Sequence, residues 1–282
     1  MDRPLTLMTV HAHPDDEASS TGAVLARYSA EGVRTVLVTC TNGDQGDGPG
    51  GLKPDSSDHD APAVSAIRMA ELNEACSILG VSHLELLDYA DSGMVGWAGN
   101  ARPEAFCNIP IEQSAKRLIE LFELYRPHVV VTYDDRGGYG HPDHVMAHRI
   151  TVAAVEATGI PDKLYFTARS RSSMARFREM LAERGVEPPP PPPVSQPVDG
   201  QPAQPPRPLG TPDEDITTTI DATEFLDRKL AALAAHASQT AQSPTLRFEE
   251  IFRTVWADET FVRAVDKTGA SLPESDLFAG LR

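Results

Sequence analysis

The sequence predicts an α/β protein, a three-layer αβα sandwich in which helices cover both faces of a mostly parallel β-sheet. Short apolar, β-branched runs alternate with segments of helical periodicity, which is the pattern of repeated β-α-β units. Two runs, Val36-Leu37-Val38 and Val129-Val130-Val131, are continuously apolar, as expected of parallel strands buried on both faces. A chain of 282 residues is long enough to bury such a core.

Each element follows from a local signal. The predicted strands cover residues 5–10, 33–39, 84–87, 129–133, 163–167 and 216–220, and the tail adds a helix from residue 246 and an edge strand around residues 261–263. The predicted helices cover residues 18–31, 63–79, 111–125, 142–157 and 222–235. Gly80 suits the C-cap of the second helix, and Pro142 suits the first turn of the fourth.

Two segments carry no such signal. Residues 41–60 are rich in Gly, Asp and Asn, and a polar loop of this length suggests a functional role. Residues 187–212 contain the unbroken proline run 188–193 and offer little apolar surface to bury. We interpret this segment as a solvent-exposed, Pro-rich insertion in a single domain of residues 1–282, in preference to a ligand for an SH3-like module.

Composition excludes several classes of partner. The net charge of −16 argues against nucleic acid and anionic membranes. No apolar run approaches the ~20 residues of a membrane span, and the N-terminus lacks signal-peptide features. Three scattered cysteines give no disulfide framework, so a cytoplasmic location is expected. A homo-oligomer is compatible with the sequence.

Two related motifs follow predicted strands. His11-Ala12-His13-Pro14-Asp15-Asp16-Glu17 comes after the first strand, and Gly140-His141-Pro142-Asp143-His144 comes shortly after the strand at 129–133. A parallel sheet brings such strand ends to one edge, where open α/β sheets bind their ligands. We therefore predict a divalent metal site, with zinc as the preferred ion.

The residue types suggest a hydrolytic arrangement. His13 and Asp16 lie three residues apart across a strand-to-helix turn, and His144 could supply a third ligand. An open fourth position would leave room for a water molecule whose pKa is lowered to about 7. Asp15 is then available to accept a proton from that water, and His141 to protonate a leaving group or stabilise an oxyanion.

The same residues allow other interpretations. Pro-Asp-Asp-Glu is also a good helix start, because carboxylates favour the positive end of the helix dipole. Helix capping needs no histidine, however, and two His-Pro-Asp turns favour a metal site. His148 lies one helical turn after His144 and is an alternative ligand, although we prefer to interpret it as a partly exposed helix residue.

The two motifs resemble those of the PIG-L (LmbE-like) family of zinc-dependent N-deacetylases, and the likeness is greatest to its actinobacterial branch. That branch includes the mycothiol-pathway deacetylase, the mycothiol S-conjugate amidase and deacetylases of glycosylated natural products. Further matching residues are Arg68 with Glu71, Asp91-Ser92-Gly93-Met94 and Arg126-Pro127-His128. The stretch 235–239 also looks family-like, which would place His236 near the site.

The resemblance implies a Rossmann-like fold and a role for each matching residue. It implies one Zn²⁺ per chain, or another divalent ion such as Fe²⁺, bound by His13, Asp16 and His144. It implies Asp15 as general base and His141 as the group that stabilises the oxyanion or protonates the amine. The remaining implied roles are the orientation of His141 by Asp143, polarisation of the carbonyl by Tyr139, and substrate contacts by Arg68 and Asp91.

The sequence is compatible with three functions. The first is removal of acetyl from an N-acetylated amino sugar, such as an N-acetylglucosaminyl mycothiol precursor or a glycosylated natural product. The second is amidase cleavage of a mycothiol S-conjugate by the same residues. The third, a Rossmann-like nucleotide-binding module, is weak because no G-x-G-x-x-G follows the first strand. The Pro-rich insertion and loop 44–60 match neither mycothiol enzyme and leave the substrate open.

Overall fold

The computed structural model describes residues 4–187, 209–240 and 244–282. Its strands are β1 (Thr6–His11), β2 (Arg34–Thr41), β3 (His83–Tyr89), β4 (Val129–Thr132), β5 (Lys163–Ala168), β6 (Thr218–Asp221) and β7 (Asp258–Asp266). Its helices are α1 (Asp16–Ala30), α2 (Ala61–Leu79), α3 (Ile111–Tyr125), α4 (Gly137–Gly140), α5 (Pro142–Thr158), α6 (Arg171–Glu183), α7 (Leu226–Ala235), α8 (Ala237–Thr240), α9 (Pro244–Arg247) and α10 (Glu249–Val255). Among the described residues, no helix is both long and apolar enough to cross a membrane.

The strands form one seven-stranded sheet in the order β3-β2-β1-β4-β5-β7-β6. The first five strands pair in parallel, and β7 runs antiparallel to both β5 and β6. The predicted mostly parallel sheet is therefore confirmed. The prediction of an edge strand at 261–263 is wrong, because β7 lies between β5 and β6 and the described edges are β3 and β6.

Helices pack on both faces of the sheet, which confirms the three layers. Leu7 faces the cluster that contains α1 and α7, and its neighbour Met8 faces the cluster that contains α3 and α5. This alternation follows from the two-residue period of a strand. Gly80 ends α2 in the left-handed conformation, as the sequence indicated.

The later part of the chain differs from the predicted elements. The helix predicted at 222–235 begins as a 3₁₀ turn, and α7 starts only at Leu226. Helix α6, which buries only Leu181, was not predicted. Most of the Pro-rich segment, residues 188–208, lies outside the described residues, so the single domain with an insertion remains a proposal. Thr211, near the end of the predicted insertion, is bound to the fold, because its N–H donates to the carbonyl of Arg169.

A buried carboxylate attaches the C-terminal segment to the sheet, at the start of β5 and β6. The two motifs follow the opposite, carboxyl ends of the parallel strands. Glu274 has a fully buried side chain and accepts hydrogen bonds from Lys163 Nζ at 2.6 Å, Tyr165 Oη at 2.8 Å, Arg263 Nη1 at 2.9 Å and Thr218 Oγ1 at 3.1 Å. These donors belong to β5, β6 and β7. Because Lys163 is itself fully buried, its charge depends on Glu274 for compensation.

We expect the Glu274→Ala substitution to lower the free energy of unfolding by about 3–5 kcal/mol, since it removes the close carboxylate partner of the fully buried Lys163 and leaves only Asp266 Oδ1, at 3.9 Å. Thermal and denaturant unfolding measure this loss. Glu250→Ala is the control, because Glu250 is exposed and pairs with an exposed arginine, so its loss should cost about 0–1 kcal/mol. Equal effects of the two substitutions would contradict the prediction.

Candidate metal centre

The two sequence motifs meet at the carboxyl edge of the sheet. One loop connects β1 to α1 and the other connects β4 to α5, and β1 pairs directly with β4. The site is deeply buried, with His13 6%, Asp16 8% and His144 2% exposed. The predicted approach of the two His-Pro-Asp turns is thus present in the structure.

Three side-chain atoms form a nearly equilateral triangle. His13 Nδ1 lies 3.2 Å from Asp16 Oδ2 and 3.2 Å from His144 Nε2, and His144 Nε2 lies 3.3 Å from Asp16 Oδ2. Tetrahedral coordination with ligand bonds of about 2.0–2.1 Å places ligand atoms about 3.3–3.4 Å apart. The triangle therefore fits a small divalent ion.

The outer ring nitrogens indicate which atoms carry protons. His13 Nε2 lies 3.2 Å from the carboxylate of Asp143, and His144 Nδ1 lies 3.2 Å from the carbonyl oxygen of Gly137. Both partners can only accept when Asp143 is ionised, so both outer nitrogens donate. In neutral imidazoles the two inner nitrogens then present lone pairs to one another and to Asp16, an arrangement that calls for positive charge between them, either a metal ion or a proton on one ring.

The pKa shifts show the same demand for positive charge. Burial disfavours protonation of His13, but the surrounding carboxylates outweigh it and raise the pKa of His13 well above its usual value. Burial also opposes ionisation of Asp16, yet the two histidines hold its pKa well below the usual value. Wider groupings, His13-His141-His144 and His13-Asp91-His141-Asp143, also place candidate ligand atoms within 4.8 Å of one another.

Asp15 lies beside the triangle in an unusual conformation. Its φ angle is 125°, a left-handed value that is rare for a residue with a side chain. Its N–H donates to Glu17 Oε2 at 3.0 Å, and its Oδ2 accepts from Arg68 Nη2 at 3.2 Å. Burial raises the pKa of Asp15 to about 6, although Arg68 opposes the shift. Asp15 is thus held at its backbone N–H by Glu17 and at one carboxylate oxygen by Arg68.

His141 and Asp143 lie on the other side of the triangle. The ring centroids of His13 and His141 are 4.4 Å apart, and burial together with the neighbouring histidines holds the pKa of His141 well below its usual value. The Asp143 carboxylate contacts His13 and both the N–H and the hydroxyl of Ser92. The backbone N–H of Asp143 donates to His141 Nδ1 at 3.2 Å, and the orientation of His141 by Asp143 that the resemblance implied stays a prediction.

Tyr139 projects over the site from the glycine-rich turn α4. Its ring is 4.9 Å from that of His144, and the residue is 44% exposed. Gly137 permits this arrangement, since its φ is +63° and an added Cβ would lie 2.6 Å from the Cβ of His144. Tyr133, which the sequence did not single out, stacks on His144 at 4.1 Å.

The two residues expected to contact substrate are largely engaged with the protein. Arg68 is 4% exposed and donates to the carbonyls of Gly43 and Pro14 as well as to Asp15. Asp91 is 3% exposed and lies 3.6 Å from His13 Nε2 and 3.7 Å from Arg68 Nη1. Both residues line the same side of the centre, and their substrate contacts remain a prediction.

His148 and His236 take different places. His148 lies outside the triangle, because its Nδ1 is 2.9 Å from the carbonyl of Tyr133 and its ring packs on Phe166. His236 is fully buried and forms a 2.6 Å contact with Glu17. The sequence indicated that His236 could lie near the site, but it gave no signal for Glu17 or Ser92 beyond their motifs.

Comparison with known proteins gives a consistent result. The sequence profile of the GlcNAc-PI de-N-acetylase (PIG-L) family matches residues 8–155. A 1D-myo-inositol 2-acetamido-2-deoxy-alpha-D-glucopyranoside deacetylase from Acidothermus cellulolyticus is 41% identical over 288 residues, which cover 98% of this chain and 95% of that protein. The protein of the same name from Actinosynnema mirum is 41% identical over 261 residues, 90% of this chain and 83% of that protein.

Solved structures extend the similarity of fold. The N,N'-diacetylchitobiose deacetylase from Pyrococcus horikoshii superimposes with a TM-score of 0.59 over 92% of this chain and 83% of that chain. The sequence identity is 20%, so this similarity concerns the fold alone.

Proposed function

Because the chain belongs to the GlcNAc-PI de-N-acetylase (PIG-L) family, we propose that it is a metal-dependent hydrolase that removes acetyl from an N-acetylated amino sugar. The leading substrate is an N-acetylglucosaminyl-inositol, the class of compound named for relatives that match nearly the whole chain. The observation that carries the proposal is the triangle of His13, Asp16 and His144 with the carboxylate of Asp15 beside it.

The proposed ligands of the metal are His13 Nδ1, Asp16 Oδ2 and His144 Nε2. Two imidazole nitrogens and one carboxylate oxygen suit Zn²⁺, and Fe²⁺ accepts the same donors. When bound, the ion would act as a Lewis acid toward the amide carbonyl and lower the pKa of a water molecule. Asp143 and the carbonyl of Gly137 hold the two rings in the tautomers that this requires.

The remaining residues would move protons and stabilise charge. Asp15 would take the proton from the attacking water, since its carboxylate is adjacent to the ligand triangle and Arg68 occupies only one of its oxygens. In neutral His141, Nδ1 accepts from the backbone of Asp143, so Nε2 carries the proton. That N–H could donate to the developing oxyanion, with the Tyr139 hydroxyl as a second donor. The leaving amine would recover the proton held by Asp15.

A cavity beside the centre favours larger amides as a second candidate class. The cavity has a volume of about 270 Å³, and Asp16, Tyr139 and His144 are among the residues that line it. Its outer wall contains Arg169, Met174 and Leu209. An acyl group larger than acetyl could enter this space, which supports the amidase that cleaves a mycothiol S-conjugate as the alternative.

A substrate comparison tests these proposals. We expect acetate release from N-acetylglucosaminyl-inositol to exceed cleavage of an S-conjugate amide in kcat/KM, measured by detection of the free amine. Met174→Trp would fill the cavity and should reduce cleavage of the larger amide more than deacetylation. Faster cleavage of the S-conjugate would reverse the order of the two candidates, and absence of both activities in metal-loaded protein would refute the hydrolase proposal.

The ligand assignment makes a separate prediction. His13→Ala and His144→Ala should each reduce the bound metal well below one ion per chain, measured by elemental analysis after dialysis, because each removes one of three protein ligands. His148→Ala is the matched control and should keep its metal, since His148 faces Tyr133 and Phe166. Metal loss in His148→Ala together with retention in His144→Ala would show that the assignment is wrong.

The role of Asp15 can be separated from metal binding. Asp15→Asn should retain the metal but lose activity by about 10²–10⁴-fold, because an amide cannot take the water proton although it can still accept from Arg68. Asp16→Asn is the adjacent comparison and should weaken metal binding. A rate for Asp15→Asn within a few-fold of the unmodified enzyme would remove Asp15 from the role of base.

A further inference from the structure

A short segment near the C-terminus contacts three separate parts of the site. Residues 236–239, which we call the anchor segment, comprise the residue between α7 and α8 and the first three residues of α8, and they lie beyond the region 8–155 that matches the family profile. Three of its side chains bind, respectively, the start of α1, the middle of α2 and the loop that follows β2. Each contact is made by hydrogen bonds and not by apolar packing.

The first contact supports the backbone of Asp15. His236 Nε2 lies 2.6 Å from Glu17 Oε1, and both side chains are fully buried. The other oxygen of Glu17 accepts the N–H of Asp15 at 3.0 Å. A residue with φ of 125° persists only where its surroundings hold it, and this hydrogen bond is one such restraint.

The second contact holds α2, the helix that carries Arg68. Ser238 donates to both oxygens of Glu71, from its N–H at 2.7 Å and from its hydroxyl at 2.6 Å. Glu71 follows Arg68 by three residues on α2, so the two side chains lie on neighbouring positions of one helix face. Arg68 in turn donates to the carboxylate of Asp15 and to the carbonyl of Pro14.

The third contact supports the loop around Arg68. The amide of Gln239 accepts from the N–H of Asp47 and donates to its carbonyl, both at 3.0 Å. A Cβ added at Gly46 would lie 2.8 Å from both Gln239 Oε1 and Arg68 Nη1. The loop is therefore confined between Gln239 and Arg68, and it packs directly against the guanidinium of Arg68.

We propose that His236, Ser238 and Gln239 are positioning residues that hold Asp15 in its reactive orientation through Glu17 and through Arg68. The proposal rests on the proposed hydrolase function. Stability alone is a weak explanation for a buried His–Glu pair, because a well-packed apolar pair often stabilises the fold as much or more. His236 Nδ1 also lacks a hydrogen-bond partner within the described residues. In this proposal the pair fixes the backbone orientation of Asp15.

The test compares His236→Leu, His236→Gln and the unmodified enzyme at equal metal content. His236→Leu removes the partner of Glu17 Oε1. It should lower kcat by about 10–100-fold and change KM little, because small misplacements of a reacting group cost this much in rate. His236→Gln can still donate to Glu17 and should restore most of the rate. Glu274→Gln is the control for general destabilisation, because it lies at the opposite edge of the sheet and should leave kcat unchanged.

A double-substitution cycle identifies the route through Asp15. If His236 acts on Asp15, His236→Leu should have little further effect on the rate in the Asp15→Asn background. Equal effects in both backgrounds, or a rate for His236→Leu within twofold of the unmodified enzyme, would overturn the proposal. Loss of metal in proportion to activity would overturn it as well.

Two further comparisons complete the test. If His236→Leu does not fold, Ser238→Ala provides the milder variant, with a smaller loss of kcat in the same direction expected and an unchanged kcat overturning the proposal. Activity of the unmodified enzyme on N-acetylglucosaminyl-inositol is measured first, so failure of the proposed function is distinguished from failure of the anchor segment.

Discussion

The structure depends on the close approach of three atoms that would repel one another without a cation. His13 Nδ1, Asp16 Oδ2 and His144 Nε2 lie 3.2–3.3 Å apart, and each ring is held by an acceptor on its far side. The direct pairing of β1 with β4 brings the two loops to the same edge. A shift of one residue in that pairing would turn the side chains of one strand to the opposite face, so register and metal site are specified together.

The aspartates around the triangle differ in the direction of their pKa shifts. Against the effect of burial, neighbouring histidines hold the pKa of Asp16 well below its usual value, and His13 and Arg68 lower the pKa of Asp91, whereas burial raises the pKa of Asp15 to about 6. Two adjacent aspartates in one turn therefore have opposite tendencies. A ligand should be a stable anion, and a general base should be able to accept a proton near neutral pH. The difference arises because Asp16 faces both histidines and Asp15 faces Arg68 with less compensation.

Features encoded by local sequence were predictable, and features set by distant partners were not. The two motifs, α3 and the parallel strands follow from periodicity and turn chemistry within short windows. The position of β7 depends on pairing with β5, nearly a hundred residues earlier, and its half-exposed pattern is that of an edge strand. The contact of Asp143 with His13 was likewise invisible, because both residues carry plausible partners within their own motifs.

The division of the chain suggests how one reaction can serve different substrates in this fold. Residues 8–155 contain the proposed ligand triangle together with Asp15, His141 and Tyr139, the residues to which we assign amide hydrolysis. The later part of the chain adds contacts on two sides of that centre: the anchor segment beside Asp15 and Arg68, and the cavity wall of Arg169, Met174 and Leu209 beside His144. Because the chemistry needs fixed distances and the substrate needs a fitted space, changes in the later part can alter the acyl or sugar group accepted while the triangle stays constant. Residues of both parts line the cavity, so a substitution at Arg169, Met174 or Leu209 changes the space for substrate without touching a proposed metal ligand.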